Sequence, residues 1–124
     1  MTTPASPAAT EPPSPPAAPF REITPTDLAA QMAAGTAPRV IDIREPHERA
    51  ICQIAGTEFL PLSDVRRWWP TLDPHEPIVF QCHHGRRSQS LCYALAAMGF
   101  TALSNLTGGI EAWRVDVDPG MAGY

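Results

Sequence analysis

The chain has 124 residues, of which 44% are hydrophobic and 18% are charged, and its formal net charge at pH 7 is -4. This size and balance predict one globular domain, and the acidic charge argues against a nucleic-acid partner, because nucleic-acid binders carry a basic face. No apolar run approaches the ~20 residues that span a bilayer, and the first residues lack the features of a secretory signal. The sequence therefore predicts no membrane partner and no export.

The chain contains three widely spaced cysteines, Cys52, Cys82 and Cys92. Their odd number and the absence of a C-x-x-C pair argue against a disulfide framework, a zinc ribbon and a thioredoxin-type site. Free thiols suit a reducing compartment, so we expect a cytoplasmic protein with no bound metal.

Residues 1–19 contain seven prolines and no large apolar side chain after Met1, a composition typical of a disordered tail. The folded part is expected to begin at residue 20. Its first helix should start at Thr24, a capping residue followed directly by proline, and should end at Gly35, a common residue at helix C-termini.

Strands and helices alternate along the rest of the chain. Short β-branched or apolar runs predict strands, and apolar residues at helical spacing predict helices. The predicted strands are 40–43, 58–60, 78–81 and a stretch around 102–103; the predicted helices are 46–51, 63–69 (ended by Pro70), 88–98 and a last one through Trp113, after the Gly108-Gly109 turn. This order predicts an α/β fold with a mostly parallel sheet and helices on both faces.

The segment that carries chemistry begins where the buried strand 78–81 ends at Cys82 and continues through a short loop into a helix. In open α/β sheets, ligands bind beyond the carboxyl ends of the strands. Gly85 allows a tight curl of the loop, and its amides, the helix dipole and the arginines at 86 and 87 favour an anion. They also favour the thiolate, which is the nucleophilic form, so Cys82 is the candidate catalytic residue.

The run from Cys82 to Ser88, set between a strand and a helix, resembles the active-site loop of the rhodanese family. Further segments resemble other motifs of that family in the expected order: Val40–Pro46 with Glu48, Ile54–Thr57 followed by Leu60–Leu62, Met98–Phe100 and Leu106–Trp113. The resemblance covers roughly residues 20–114 and leaves 115–124 as a C-terminal tail. The middle motif lacks the family's common His-x-x-Gly-Ala form, a departure in what looks like a structural motif.

The resemblance implies a five-stranded parallel sheet flanked by helices on both faces and a sulfurtransferase activity. Cys82 would take a sulfane sulfur from a small donor such as thiosulfate, hold it as a persulfide, and pass it to cyanide or a cellular thiol. A protein partner in a sulfur relay stays open, and no cofactor is implied. The residues expected to bind the substrate are His83, His84, Gly85, Arg86, Arg87 and Ser88.

Four charged residues of the second motif, Asp42, Arg44, Glu45 and Glu48, are expected to form structural ion pairs. Sulfur transfer to a thiolate needs no general base there. We expect Cys92 to pack in the core, whereas Cys52 either packs or acts as a resolving thiol.

Two alternative functions remain at this point. A rhodanese-like domain can serve as a non-catalytic interaction or regulatory module, although this chain keeps the cysteine that such modules lose. A phosphatase on the same scaffold would place arginine in a Cys-x5-Arg loop, but here Ser88 holds that position and Arg87 follows only four intervening residues. The shorter loop suits a sulfur atom better than a phosphate group.

Overall fold

The computed structural model describes residues 18–124, so most of the predicted N-terminal tail lies outside the described residues. Five strands alternate with five helices in this range: β1 (Arg21–Ile23), α1 (Pro25–Ala34), β2 (Arg39–Asp42), α2 (Pro46–Ile51), β3 (Glu58–Phe59), α3 (Val65–Trp68), β4 (Ile78–Gln81), α4 (Arg86–Ala97), β5 (Leu103–Leu106) and α5 (Gly109–Asp116). No helix within residues 18–124 has the length and apolar character needed to cross a membrane.

The five strands form one parallel sheet in the order β1-β5-β4-β2-β3. All four residues of the central strand β4 are buried, as expected for a parallel strand covered on both faces. The predicted fold class is therefore confirmed. The edge strand β1 has no counterpart among the predicted strands, because Arg21 and Glu22 are exposed and leave a single apolar residue to signal it.

The predicted ends of α1 are confirmed. The Thr24 hydroxyl accepts a hydrogen bond from the backbone N–H of Asp27 at 3.2 Å, and Gly35 ends the helix with a φ of 72°. Helix α3 is shorter than predicted, since 3-10 turns at Leu62–Asp64 and Trp69–Thr71 flank it. Pro70 was expected to end the helix, but it lies inside the second of these 3-10 turns, because proline is tolerated in the first turn of a helix.

Two apolar clusters cover opposite faces of the sheet. The first packs α4 and the segment around α3 against Ile41, Phe80 and Cys82, and the second packs α1 and α5 against Val40 and Val79. These residues alternate along β2 and β4, as side chains on a strand do. The helices therefore lie on both sides of the sheet.

The other two cysteines have separate places in this core. Cys92 is fully buried in the first cluster, and burial raises the pKa of its thiol to about 12. Its expected packing role fits that position. Cys52 packs at the margin of the second cluster, on the face opposite to Cys82.

The folded part extends beyond residue 114, where the sequence placed its end. Helix α5 continues to Asp116, and Val117 and Met121 pack against the second apolar cluster. This correction could not be foreseen from the sequence, because isolated apolar residues in a short polar stretch show no helix or strand periodicity.

Candidate active site

Cys82 lies directly after the carboxyl end of β4 and is only 1% exposed. Its Sγ atom accepts hydrogen bonds from the backbone N–H of Gly85 at 3.2 Å and from that of Ser88 at 3.4 Å. The Ser88 hydroxyl lies 3.3 Å from the same sulfur. Gly85 has a φ of 90°, a conformation that side chains rarely adopt, and this turn brings the donors to one centre. The loop therefore forms a cradle that stabilises negative charge on sulfur.

The start of α5 holds the other side of this loop. The backbone N–H groups of Ile110 and Glu111 donate to the carbonyl oxygens of Cys82 and His83 at 2.8 and 3.0 Å. A Cβ atom at Gly109 would lie 2.5 Å from the Cys82 carbonyl oxygen and closer still to that of His83. The close approach therefore requires glycine at position 109.

Asn105 braces the cradle from β5 and was not singled out from the sequence. Its Oδ1 accepts a hydrogen bond from the Ser88 hydroxyl at 2.5 Å, and its Nδ2 donates to the Gly85 carbonyl oxygen at 3.1 Å. Nδ2 also donates to both carboxylate oxygens of Glu22, at 3.1 and 3.2 Å. Asn105 thus holds both residues whose N–H groups reach the sulfur. A polar pair between the two leucines of Leu103–Leu106 was the available signal.

The adjacent arginines Arg86 and Arg87 have different surroundings. Nη1 and Nη2 of Arg87 contact the two carboxylate oxygens of Glu48, each at 2.8 Å. This pairing lowers the pKa of Glu48 to about 2, against the opposing effect of burial. Arg86 is exposed, and within residues 18–124 no carboxylate pairs with it. A substrate anion would therefore find the Arg86 guanidinium unoccupied and that of Arg87 engaged.

Three of the four charged residues of the second motif form ion pairs, and Glu45 does not. Arg44 is fully buried and its Nη2 contacts the Asp42 carboxylate at 2.9 Å, while Arg49 contacts the same carboxylate at 3.2 Å. Glu48 pairs with Arg87, as described above. Glu45 differs from the ion pair expected of it: within the described residues its carboxylate accepts hydrogen bonds from the backbone N–H and hydroxyl of Ser63, at 3.1 and 2.5 Å. Glu45 joins α2 to the segment before α3.

The two histidines of the loop stack with Tyr124, a second residue that the sequence did not single out. The ring of His83 lies 3.8 Å from that of His84 and 3.8 Å from that of Tyr124, and its plane is 10° from the tyrosine plane. Burial lowers the pKa of His83, and the neighbouring His84 adds to this effect. Among residues 18–124 there is no group of three His, Cys, Asp or Glu side chains suited to a metal ion.

Comparison with known proteins places this geometry in a family. The model of the Rhodanese-like domain matches residues 24–116. The chain belongs to the rhodanese-like domain family. Among its relatives, thiosulfate sulfurtransferase GlpE of Stutzerimonas stutzeri is 34% identical over 95 residues, which cover 77% of this chain and 85% of that protein. Relatives of this kind, matched over most of the chain, support a sulfurtransferase-like enzyme.

Two further relatives mark the breadth of the rhodanese-like family. The rhodanese-like/PpiC domain-containing protein 12 of Arabidopsis thaliana chloroplasts is 34% identical over 90 residues, which cover 69% of this chain but only 30% of the plant protein. The crystal structure of a rhodanese-related protein from Thermoplasma volcanium superposes with a TM-score of 0.68 at 30% identity, covering 78% of this chain and 93% of that one. The resemblance found in the sequence is confirmed.

Proposed function

We propose that this rhodanese-like protein is a sulfurtransferase that carries a sulfane sulfur on Cys82. The observation that supports this most strongly is the cradle, in which two backbone N–H groups converge on a buried sulfur atom. Fixed donors aimed at developing negative charge are the main catalytic device of such sites. The same donors would stabilise a thiolate before transfer and a persulfide anion after it.

The reaction we propose begins when the Cys82 thiol releases its proton to solvent. The thiolate attacks the outer, sulfane sulfur of a donor such as thiosulfate, and a sulfur–sulfur bond forms while the donor's own sulfur–sulfur bond breaks. The electron pair of the broken bond leaves with sulfite, so no external oxidant or reductant is needed. Cyanide or a thiolate then attacks the outer sulfur, and the electron pair of the second broken bond regenerates the Cys82 thiolate.

Arg86 is our candidate for attracting the anionic end of the donor, because its guanidinium is exposed and unpaired within the described residues. The side chains of His83 and His84 and the amides of Gly85 and Ser88 would line the approach to the sulfur. Arg87 would contribute mainly through long-range charge, since Glu48 engages its guanidinium. All three cysteines are free, which agrees with a reducing compartment such as the cytoplasm.

Two competing functions are less well supported. A phosphatase would need an arginine facing the phosphate, but the arginine nearest to that position, Arg87, is bound to Glu48 through both terminal nitrogens. A non-catalytic module would not require the hydrogen bonds that Ser88, Gly85 and Asn105 direct around Cys82.

The decisive experiment is intact-protein mass spectrometry after incubation with thiosulfate. We expect the wild-type protein to gain the mass of one sulfur atom and to lose it again when cyanide is added. The Cys82→Ser variant should show no gain, whereas the matched control Cys52→Ser should behave like the wild type. A persulfide on Cys52 or Cys92 would contradict the role of Cys82, and Cys82-dependent turnover of p-nitrophenyl phosphate without sulfur transfer would favour the phosphatase.

A further inference from the structure

Tyr124 contacts the active-site loop at a different residue from those that Asn105 contacts. Its ring stacks on the imidazole of His83, the residue that directly follows Cys82, with ring centroids 3.8 Å apart. His83 stacks in turn on His84. Both residues between Cys82 and Gly85 therefore belong to a column of three stacked rings, which restrains the loop where the sulfur cradle begins.

The hydroxyl of Tyr124 reaches the other end of the loop through Glu48. It donates a hydrogen bond to one Glu48 carboxylate oxygen at 2.9 Å and accepts one from Nη1 of Arg44 at 2.8 Å. Glu48 holds Arg87, the second residue of α4, through both carboxylate oxygens. One side chain thus connects the fully buried Arg44 with the carboxylate that fixes the start of α4.

The segment that carries Tyr124 is itself anchored on the domain. Met121 packs against the second apolar cluster, and its backbone N–H donates to the carbonyl oxygen of Asp118 at 3.0 Å. At Gly123 the backbone approaches Arg114 so closely that a Cβ atom would lie 2.9 Å from the guanidinium Nε. The packing of Met121 and the close approach of Gly123 to Arg114 therefore hold the backbone that precedes Tyr124 in place.

We propose that Tyr124 is a positioning residue for the sulfur transfer proposed above. It would hold His83 by stacking and the start of α4 through Glu48, while Asn105 holds the cradle itself. The N–H groups of Gly85 and Ser88 would then stay aimed at the sulfur. Catalytic groups must be held within a fraction of an ångström, and a displacement of ~1 Å can cost a hundredfold in rate. In the described part of the chain, Tyr124 contacts His83, Glu48 and Arg44 but not Arg86, so we expect its effect to fall mainly on kcat.

Two variants separate the contributions of the ring and the hydroxyl. Tyr124→Phe keeps the stack on His83 and removes the hydroxyl bridge, whereas Tyr124→Leu removes both. Tyr93→Phe is the matched control, because Tyr93 lies on α4 and its ring contacts Phe20. For each protein, kcat and KM are measured with thiosulfate and cyanide at a temperature well below unfolding. The rate of Cys82 alkylation by iodoacetamide at pH 7 is measured in parallel.

We expect roughly a tenfold lower kcat for Tyr124→Leu and a two- to threefold lower kcat for Tyr124→Phe, with KM within twofold of the wild type. The alkylation rate should fall in the same order, since a displaced cradle stabilises the thiolate less well. If Tyr124 only stabilised the fold, its replacement would lower the free energy of unfolding and leave kcat unchanged.

A kcat of Tyr124→Leu within twofold of the wild type would refute the positioning role. If Tyr124→Leu does not fold, Tyr124→Phe decides the question by the same kcat comparison. A wild-type protein that forms no persulfide would refute the proposed function but not the positioning role. The alkylation rates of the variants would then still test whether Tyr124 positions Cys82.

Discussion

Acid should destabilise this protein through Glu48, whose carboxylate is buried and paired with Arg87. The hydrogen bonds from Arg87 are the largest cause that lowers the pKa of Glu48 from its ordinary value of 4.5 to about 2. Between these two pH values the unfolded chain binds a proton that the folded protein does not. The stabilisation is therefore complete above pH 4.5 and is lost as the pH falls towards 2.

The magnitude follows from this difference in pKa. At 1.36 kcal/mol per pH unit, a shift from 4.5 to about 2 corresponds to an upper limit of ~3 kcal/mol. The side chain of Arg87 is 37% exposed, so solvent screens the pair and reduces the effect. We expect about 1–2 kcal/mol of unfolding free energy that depends on the charge of Glu48.

Urea unfolding of the wild type and of Glu48→Gln at pH 7, 4 and 2.5 measures this contribution. The variant should be less stable at pH 7, and the difference between the two proteins should shrink as the pH falls. Glu76→Gln is the control, since Glu76 is 40% exposed and contacts Arg39 at 3.3 Å. A difference between wild type and Glu48→Gln that stays constant across this pH range would refute the reasoning.

Two further substitutions test the loop and its arginines. Arg86→Ala should raise the KM for thiosulfate roughly two- to fivefold at unchanged kcat, because an exposed charge contributes only modestly to binding an anion. Steady-state kinetics at two salt concentrations measures the change in KM. An unchanged KM would show that Arg86 does not meet the donor. Gly109→Ala should cost on the order of 3 kcal/mol or more in urea unfolding, since its Cβ would collide with the carbonyl of Cys82. Gly35→Ala is its control, with a φ of 72° but open space around the added Cβ, and an equal cost at both glycines would show that backbone conformation alone matters.

The fold was predictable from the sequence because its central elements carry strong local signals. The run 78–80 is apolar and begins with two β-branched residues, and Thr24, Pro25 and Gly35 delimit α1 by their own backbone chemistry. Strand β1 gives no such signal, since Ile23 is its only apolar residue and its pairing with β5 and side-chain contacts are all long-range. The extent of the folded part beyond α5 escaped prediction for the same reason, because the packing of Val117 and Met121 on the second apolar cluster is tertiary.

The residues of the candidate site also divide into those that a local motif identifies and those that only the tertiary structure brings to the loop. Cys82, Gly85 and Ser88 belong to one continuous loop, so a sequence motif identifies them together. Asn105 and Tyr124 reach the loop from β5 and from beyond α5, and only the order of strands in the sheet brings them there. Nor could the sequence show that Arg87 pairs with Glu48 while Arg86 stays exposed. Adjacent residues on a helix point about 100° apart, and only the tertiary structure decides which of them meets the carboxylate.

The separation of the three cysteines has a consequence for recovery from oxidative stress. A peroxide-oxidised Cys82 would be rescued from irreversible over-oxidation only by reacting with another thiol. Cys52 lies on the opposite face of the sheet, and Cys92 is fully buried with its pKa raised to about 12, so it keeps its proton at neutral pH. Burial therefore makes Cys92 a poor resolving thiol. Reduction of an oxidised Cys82 would then fall to Cys52 or to a thiol supplied by the cell.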